Sequence, residues 1–456
     1  MTNAPINTSL IGDGRTIVAL ATPPGRSALA IIRASGPAVQ GIARALLRPA
    51  PEIDRRMTHC FAVDAAGEVI DDVVATIFRG PHSFTGEDML EVSTHGGFVV
   101  PATVLAATIR AGARYAEPGE FTRRAVLNGK LDLLQAEAIG DLIDARSSAA
   151  HRLALVQLDG GLSRRIESLR QQLLQLEALL VYDIDFPEED DGPIPRARIF
   201  TATEELQHAL GTLLASEHLG TLVHNGALVV LVGAPNVGKS SLFNALLGEA
   251  RAIVTDVPGT TRDAIEAVLD LPDWPLRLVD TAGLRETRDP IEQLGVETAS
   301  RYLARATVVL VCVDSPDAAG AAARIREEAD AIVITVATKG DIVTESVKMN
   351  ADVVVSAWTG EGLGALLELI AVRLTGAHGI PTLDAPILTR VRHRAIVEIA
   401  CAEVDEFLVA WLRDGLPVAV AATHLHAAVG ALSELIGVVV TDDVLDVVFR
   451  SFCVGK

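Results

Sequence analysis

The sequence predicts a multidomain protein with an α+β N-terminal domain, an all-α helical domain and an inserted α/β domain whose sheet is mostly parallel and doubly wound. Three observations carry this. Short β-type runs separated by turn signals fill the N-terminal quarter. Apolar residues then recur at spacings of three and four, at Ile166, Leu169, Leu173, Leu176 and Leu180, which places them on one helix face. From about Leu228, continuous apolar strands alternate with glycine loops and helices, the pattern of a parallel sheet covered on both faces.

Each element follows from its own stretch. "TIVALAT" (Thr16–Thr22), "ALAIIRASG" (Ala28–Gly36) and "DMLEVSTHGG" (Asp88–Gly97) read as strands. The acidic "DIDFPEEDDGP" (Asp183–Pro193) interrupts the helical stretch, and its Pro and Gly mark a solvated loop rather than a cation site. The strands of the α/β unit are "LVVLVG", "LRLVD", "VVLVCVD", "AIVITVA" and "DVVVSA", and "GAHGIP" (Gly376–Pro381) closes it as a linker. Leu416–Val440 is long enough for a membrane span. His424, His426, Ser433 and Glu434 lie inside it, so a buried helix followed by a short extended piece is expected instead.

The bulk numbers narrow the function. A chain of 456 residues suggests about three domains. A net charge of −20 excludes broad, passive binding to nucleic acid; contact with RNA needs a local basic patch or a partner protein. Cys60, Cys312, Cys401 and Cys453 show no CxxC spacing and fit a reducing, cytoplasmic compartment. The start lacks the basic and apolar regions of a signal peptide. Cys453 is the fourth residue counted back from Lys456, yet Gly455 and Lys456 do not fit a prenylation signal.

"GAPNVGKSS" (Gly233–Ser241) follows a strand, precedes a helix and satisfies GxxxxGK[ST]. Its backbone N–H groups, at Asn236, Val237 and Gly238 among others, can wrap phosphates. Lys239 reaches the β- and γ-phosphates, and the Ser240 hydroxyl ligates Mg²⁺ with Ser241 beside it. Asp280 in "LVDTAG" ends an apolar strand and can order the magnesium shell; Thr281, Ala282 and Gly283 bring backbone toward the γ-phosphate. In "TDVPGTTRD" (Thr255–Asp263), Thr261 is the threonine chosen to close on Mg²⁺. "TKGD" supplies Thr338, Lys339 and Asp341. A carboxylate here accepts two hydrogen bonds from guanine, a donor pair that adenine lacks, so GTP is the expected nucleotide. Ser356 and Ala357 fall where a backbone N–H meets the guanine oxygen. The inserted domain thus reads as a P-loop GTPase. Leu284 stands where Ras-like enzymes carry a water-positioning glutamine, so another group must do that work. Asn236 either caps the loop or helps bind a monovalent cation that offsets transition-state charge.

With "ATPPGRSALAIIR", "FTGEDMLEVSTHGG", "PGEFTRRAVLNGKLDLLQAEAIGDLI", "GAPNVGKSSLFNALLG", "PGTTRD", "DTAGLRE" and "FCVGK" in place, the chain resembles the MnmE (TrmE) family of tRNA-modification GTPases over essentially its whole length. The resemblance implies a folate-binding dimerisation domain at residues 1–128, a helical domain in two parts at 129–224 and 379–456, and the G domain at 225–378. It implies a homodimer through the N-terminal domain, acting on tRNA with an FAD-dependent MnmG-type protein in a heterotetramer, away from any membrane. The reaction implied is modification of C5 of the wobble uridine, with 5,10-methylene-tetrahydrofolate as one-carbon donor and 5-formyl-tetrahydrofolate as its analogue.

By the same resemblance Asn236, Thr255, Val257 and Thr260 coordinate K⁺, Ser240 and Thr261 hold Mg²⁺, and Glu292 positions water. Arg262, Asp263 and Arg285 match switch residues. Arg33, Glu91, Lys130 and Lys456 match the folate contacts, and residues 453–456 deliver Cys453 to the one-carbon site as nucleophile, redox group or positioning residue. Thr338 departs from the family's usual Asn, which implies a loss of affinity or loop rigidity. The alternative is a ribosome-assembly GTPase acting as an RNA-binding switch. Residues 381–456 hold six Lys/Arg against ten Asp/Glu, which does not suit the basic RNA-binding module such proteins commonly carry.

Overall fold

The structure is a computed structural model. It describes residues 14–185, 195–249, 252–254, 265–280, 301–315, 319–328, 330–381, 384–412, 418–439, 442–450 and 452–456. The chain divides into two compact units, Met1–Gly140 with Ser433–Lys456, and Asp141–Leu432.

The first unit is built on a seven-stranded sheet. Its strands are β1 (Ile17–Leu20), β2 (Gly25–Ser35), β3 (Leu47–Arg48), β4 (Thr58–Val63), β5 (Val69–Phe78), β6 (Met89–Gly97) and β7 (Arg114–Tyr115), in the order β3-β4-β5-β6-β2-β1-β7. All pairings are antiparallel except β1 with β7. Successive side chains of a strand point to opposite faces. Val18, Ile32, Ala34, Leu90 and Val92 therefore bury one face, against Ile42, Leu46 and Val104 from the helices Val39–Leu46 and Val99–Arg110. Ile17, Ala19 and Met89 bury the other, against Phe121. Arg33 and Glu91 face each other across the β2–β6 pair and share this second face.

The second unit contains the doubly wound sheet: β8 (Ala227–Gly233), β9 (Ala252–Val254), β10 (Ile265–Asp270), β11 (Pro275–Asp280), β12 (Val308–Val313), β13 (Ile332–Ala337) and β14 (Val353–Val354), in the order β14-β13-β12-β8-β11-β10-β9. The five strands from β14 to β11 are parallel. Ala227, Val229 and Leu231 enter one core with Leu242, Leu246 and Leu366, while Leu228 and Val230 enter the other with Val309 and Val311. Burial on both faces is why these strands are apolar throughout. After β8 the chain builds β11 on one side and β12 on the other. Such a reversal opens a crevice beyond the carboxyl ends of the strands, and "GAPNVGKSS" starts there. The helical part of this unit includes Ser148–Leu158, Gly161–Asp185, Arg196–Ala215, Glu217–Asn225 and Val391–Leu412. Ile166, Leu169, Leu173, Leu176 and Leu180 are all at most 2% exposed, as their spacing predicts.

Two features differ from the sequence reading. The antiparallel strands β9 and β10 continue the parallel sheet through a β10–β11 hairpin, with Asp270 opposite Pro275. The expected extended piece after the helix Val418–Ile436 is instead a helix cap. Gly437, at φ +79°, donates from its N–H to the Glu434 carbonyl, and the Val438 N–H donates to the Ser433 carbonyl. This paired closure satisfies the last-turn carbonyls and ends the helix, and the described residues Gly437–Val439 form no strand. The window Ala419–Ile436 is long and apolar enough to cross a membrane by length and composition, and 44% of it is buried inside the protein.

Candidate nucleotide site and a second polar site

The strand β8 ends at Gly233, whose φ of +150° and whose hypothetical Cβ, 2.6 Å from the Cys312 carbonyl oxygen, exclude a side chain. The loop beyond it turns through Asn236 at φ +60°. Asn is among the few non-glycine residues that tolerate this left-handed conformation, which gives the residue a local reason to be there. The residue is exposed. Lys239 is only 8% exposed, and its Nζ donates to the Gly233 and Ala234 carbonyls at 3.0 and 2.9 Å. Ser240 and Ser241 are exposed in the first turn of the helix Lys239–Glu249, where free N–H groups and the helix dipole favour anions. Asp280, 3% exposed, ends β11 opposite Leu231 of β8, beside the loop. Hydroxyl and carboxylate oxygens are the donors a hard cation such as Mg²⁺ selects, so the described residues fit that ion. Burial pushes the Cys312 thiol up to about 12, Lys239 opposing and Asp280 adding to the effect, so this cysteine is no nucleophile.

The base side is equally ordered. A cavity of about 220 Å³ is lined by Gly238, Ser241, Thr338, Lys339, Asp341, Ala357 and Trp358, among others. By the same measure about 10–15 Å³ admits one water. The Ser356 hydroxyl donates to Asp341 Oδ1 at 2.8 Å and fixes the carboxylate. Lys339, at φ +56°, pairs through Nζ with Asp314 Oδ2 at 2.8 Å. Thr338 is 2% exposed, and its Oγ1 lies 2.5 Å from the Val237 carbonyl and 3.3 Å from that of Val313. The threonine hydroxyl thus ties the base loop to the phosphate loop. Thr255, Val257, Thr260, Thr261, Arg262, Asp263, Thr281, Ala282, Gly283, Arg285 and Glu292 lie outside the described residues, as does most of the acidic stretch at Asp183–Pro193.

A second constellation sits in the first unit. Arg33 Nε donates to Glu91 Oε1 at 2.9 Å, its second amino nitrogen lies 2.7 Å from the same oxygen, and Nη1 is 3.5 Å from the Gly455 carbonyl. The Arg33 guanidinium carbon lies 5.7 Å from the Phe84 ring centroid and 5.9 Å from that of Phe121, within cation–π range. Residues 452–456 run along this face. Val454 bridges Pro118, the Gly119 N–H donates to the Cys453 carbonyl at 3.3 Å, and the Phe121 N–H donates to that of Lys456 at 3.2 Å. Helix Glu120–Leu127 begins there, so these carbonyls satisfy amides that have no partner within the helix. Gly455, at φ +98°, is buried against the Leu20 carbonyl. Cys453 is exposed. Lys130 donates from Nζ to the Pro81 carbonyl, on the loop that carries Phe84. An anionic acceptor, a cation and the accessible Phe84 ring fit a flat heterocycle bearing paired donors and a carboxylate tail, while Phe121, fully buried, backs Arg33 from the core.

Behind this face, Glu120 meets Arg114 at 2.6 Å and Arg124 at 3.0 Å. Burial opposes its ionisation, but Arg114, the Glu117 N–H and Arg124 together hold its carboxyl below the usual range. Among the described residues no group of three or more His, Cys, Asp or Glu could hold a metal by itself.

Arg33 and Glu91 emerge as a pair with the Cys453–Lys456 segment over them, and Asn236 to Ser241, Asp280, Thr338, Lys339, Asp341, Ser356 and Ala357 share one end of the β8–β13 sheet. Sequence reasoning passed over Asp314, Trp358, Phe84, Phe121 and Gly455. Asp314 carried a signal as the acidic residue that ends "VVLVCVD", and Phe84, Phe121 and Gly455 lie within the quoted stretches "FTGEDMLEVSTHGG", "PGEFTRRAVLNGKLDLLQAEAIGDLI" and "FCVGK".

Comparison with known proteins identifies the family. The description "MnmE helical domain" matches residues 133–453, and "GTP-binding protein TrmE N-terminus" matches 16–130. The tRNA modification GTPase MnmE of Moorella thermoacetica is 40% identical over 461 residues, covering 97% of this chain and 99% of the relative. The same protein of Chloroflexus aurantiacus is 42% identical over 460 residues, with coverage of 97% and 99%. Among solved structures, the G domain of the T. maritima FeoB iron transporter matches 32% of this chain and 97% of its own at 30% identity, with a TM-score of 0.25. The chain belongs to the MnmE (TrmE) family of tRNA-modification GTPases and is a GTP hydrolase acting in tRNA modification.

Proposed function

We propose that this GTPase works in the cytoplasm, is activated by potassium, and modifies C5 of the wobble uridine of tRNA with an FAD-dependent MnmG-type partner and a methylene-folate donor. The observation that carries this reading is the docking of residues 453–456 over the Arg33–Glu91 pair. A G protein serving only as a switch has no use for such a site in a unit apart from its nucleotide.

Each residue then has a task. Glu91 accepts hydrogen bonds from the donor edge of a pterin, Phe84 flanks the heterocycle while buried Phe121 backs Arg33, and Arg33, Lys130 and Lys456 supply cations for carboxylate or formyl oxygens. When bound, the folate supplies the one-carbon unit. Cys453, exposed beside it, is placed to act on that unit or to position it. In the G domain, Lys239 and the loop N–H groups hold phosphate oxygens, and Asp341 selects guanine. Ser240 with Thr261 holds Mg²⁺; Asn236, Thr255, Val257 and Thr260 bind K⁺, which offsets the charge an arginine finger otherwise meets. Glu292 orients the attacking water in place of Leu284, and Arg262, Asp263 and Arg285 act in the switches. Domain limits of 1–128, 129–224, 225–378 and 379–456 belong to the same reading, as does a homodimer through the first of these. Exposed Leu29, Phe98 and Val99 on the first unit support a surface for such pairing.

Two measurements test this. Turnover of GTP in potassium should exceed that in sodium, and Asn236→Ala should remove the difference. Wobble nucleosides from cells lacking the protein should lose their C5 substituent. Equal rates in both salts would refute the cation site, and unchanged nucleosides would refute the reaction.

A further inference from the structure

Trp358 follows directly on Ser356–Ala357 at the rim of the base cavity and is 91% exposed. The other two tryptophans are buried, Trp274 at 1% and Trp411 at 7%. An indole held open at the rim of a ligand cavity presents a large flat apolar face to whatever fills that cavity. Its backbone is not free to move it away. The Ser356 N–H donates to the Glu361 carbonyl, the Gly360 N–H to the Ser356 carbonyl, both at 2.9 Å, and the Thr359 N–H to Ser356 Oγ at 3.3 Å. The same Ser356 hydroxyl holds Asp341, so the indole and the base-reading carboxylate are presented by one turn. The same cavity is lined by Lys339, whose head is committed to Asp314 and whose stem passes Gly238, Cε lying 4.0 Å from where a Cβ would project.

We propose that Trp358 is a nucleotide-affinity residue of this chain: its indole packs on the guanine of bound GTP or GDP and closes the cavity that Lys339 also lines. The inference rests on the assignment of Asp341 as the guanine reader. Asp341 recognises the edge of the base, while the indole recognises its face. Stacking on an aromatic ring tolerates any base, so Trp358 contributes affinity and Asp341 contributes choice. The indole carries few rotatable bonds, so fixing it on the base costs little entropy.

The test uses the full chain with GDP and GTP as probes. Tryptophan-selective emission of the unaltered protein should change on saturation with GDP, since the exposed indole becomes covered. Trp358→Ala should abolish that change and weaken GDP and GTP binding about 5- to 150-fold, the range for loss of one base-stacking aromatic. Trp358→Phe should restore most of the affinity without the emission change. Asp341→Asn tests the underlying assignment separately, because it offers a donor where guanine needs an acceptor. It should weaken GTP and improve xanthosine triphosphate. If Asp341→Asn exchanges the bases while Trp358→Ala binds GDP within twofold of the unaltered protein, the proposal is overturned and the base site stands. If Asp341→Asn leaves GTP binding unchanged, the base site itself is misassigned and the proposal falls with it.

Discussion

Replacing Gly455 by alanine isolates the docking of residues 453–456 from everything else the protein does. At φ +98° an L-residue is strained by about 1–2 kcal/mol. The new Cβ would sit 2.8 Å from the Leu20 carbonyl oxygen and 3.1 Å from Ala21 Cα, backbone atoms that cannot swing aside. Relieving that overlap draws the segment away and breaks the 3.2 Å bond between the Phe121 N–H and the Lys456 carbonyl, worth about 1 kcal/mol. Together these oppose docking by about 2–3 kcal/mol, which at about 1.4 kcal/mol per decade shifts the docked-to-undocked ratio about 30- to 150-fold. Amide exchange in the full chain reads this directly. The Gly119 and Phe121 amides should lose protection by such a factor, because the helix beginning at Glu120 offers them no carbonyl. Arg123, which donates to the Gly119 carbonyl at 2.9 Å, should keep its protection. Binding of a reduced folate should weaken in parallel, while basal GTP turnover stays unchanged. Unaltered exchange at Phe121 would refute the docking, and lost exchange protection with unaltered folate binding would refute the role assigned to the segment.

Other consequences are as open to measurement. Thr338→Val removes the hydroxyl between the Val237 and Val313 carbonyls and leaves a buried acceptor unmet; it should cost about 1–3 kcal/mol of stability and loosen GDP, checked by melting and nucleotide release. Glu120 has a depressed carboxyl pKa, so its stabilising effect is fully present above the ordinary glutamate range and is lost as pH falls through the depressed value. Thermal melts across acid pH should show that loss, and Glu120→Gln should flatten it while lowering the melting temperature at neutral pH. A thiol reagent at neutral pH should label Cys453 in the folded chain and spare Cys312, whose thiol is buried and pushed up to about 12; labelling of Cys312 before unfolding would refute the packing of β12.

How much of this was legible depends on how local the physics is. Leu228 to Val232 announces a strand buried on both faces because every residue is apolar, and "GAPNVGKSS" announces a phosphate loop because the backbone must come close and turn sharply. The β9–β10 extension stayed hidden. Its strands are short or interrupted by charge, as in "IEAVLD", and its pairing depends on the partner strand rather than on periodicity. The Arg33–Glu91 pair was placed only through resemblance, since a lone arginine and a lone glutamate carry no spacing signal; the antiparallel register that sets them opposite is a tertiary fact. The loss implied at Thr338 follows from the missing amide, while the reach of its hydroxyl to the Val237 carbonyl is a tertiary fact that no spacing announces. Gly437 was missed as a helix stop because the valines after it read as a strand.

Asp270 closes the β10–β11 hairpin and grips Ser148 with both carboxylate oxygens, Oδ1 on the backbone N–H at 2.9 Å and Oδ2 on the hydroxyl at 2.7 Å. That carboxylate sits at the opening turn of the helix Ser148–Leu158, where negative charge is favoured. The hairpin is thus pinned at its turn, while the far end of β11 finishes at Asp280 beside the phosphate loop. Because β11 is paired with β8 and β10 along its whole length, the strand that ends beside the phosphate loop is tied at its other end to the first turn of that helix. Asp270→Ala would cut that tie at the helix and leave the pairing of β11 in the sheet intact.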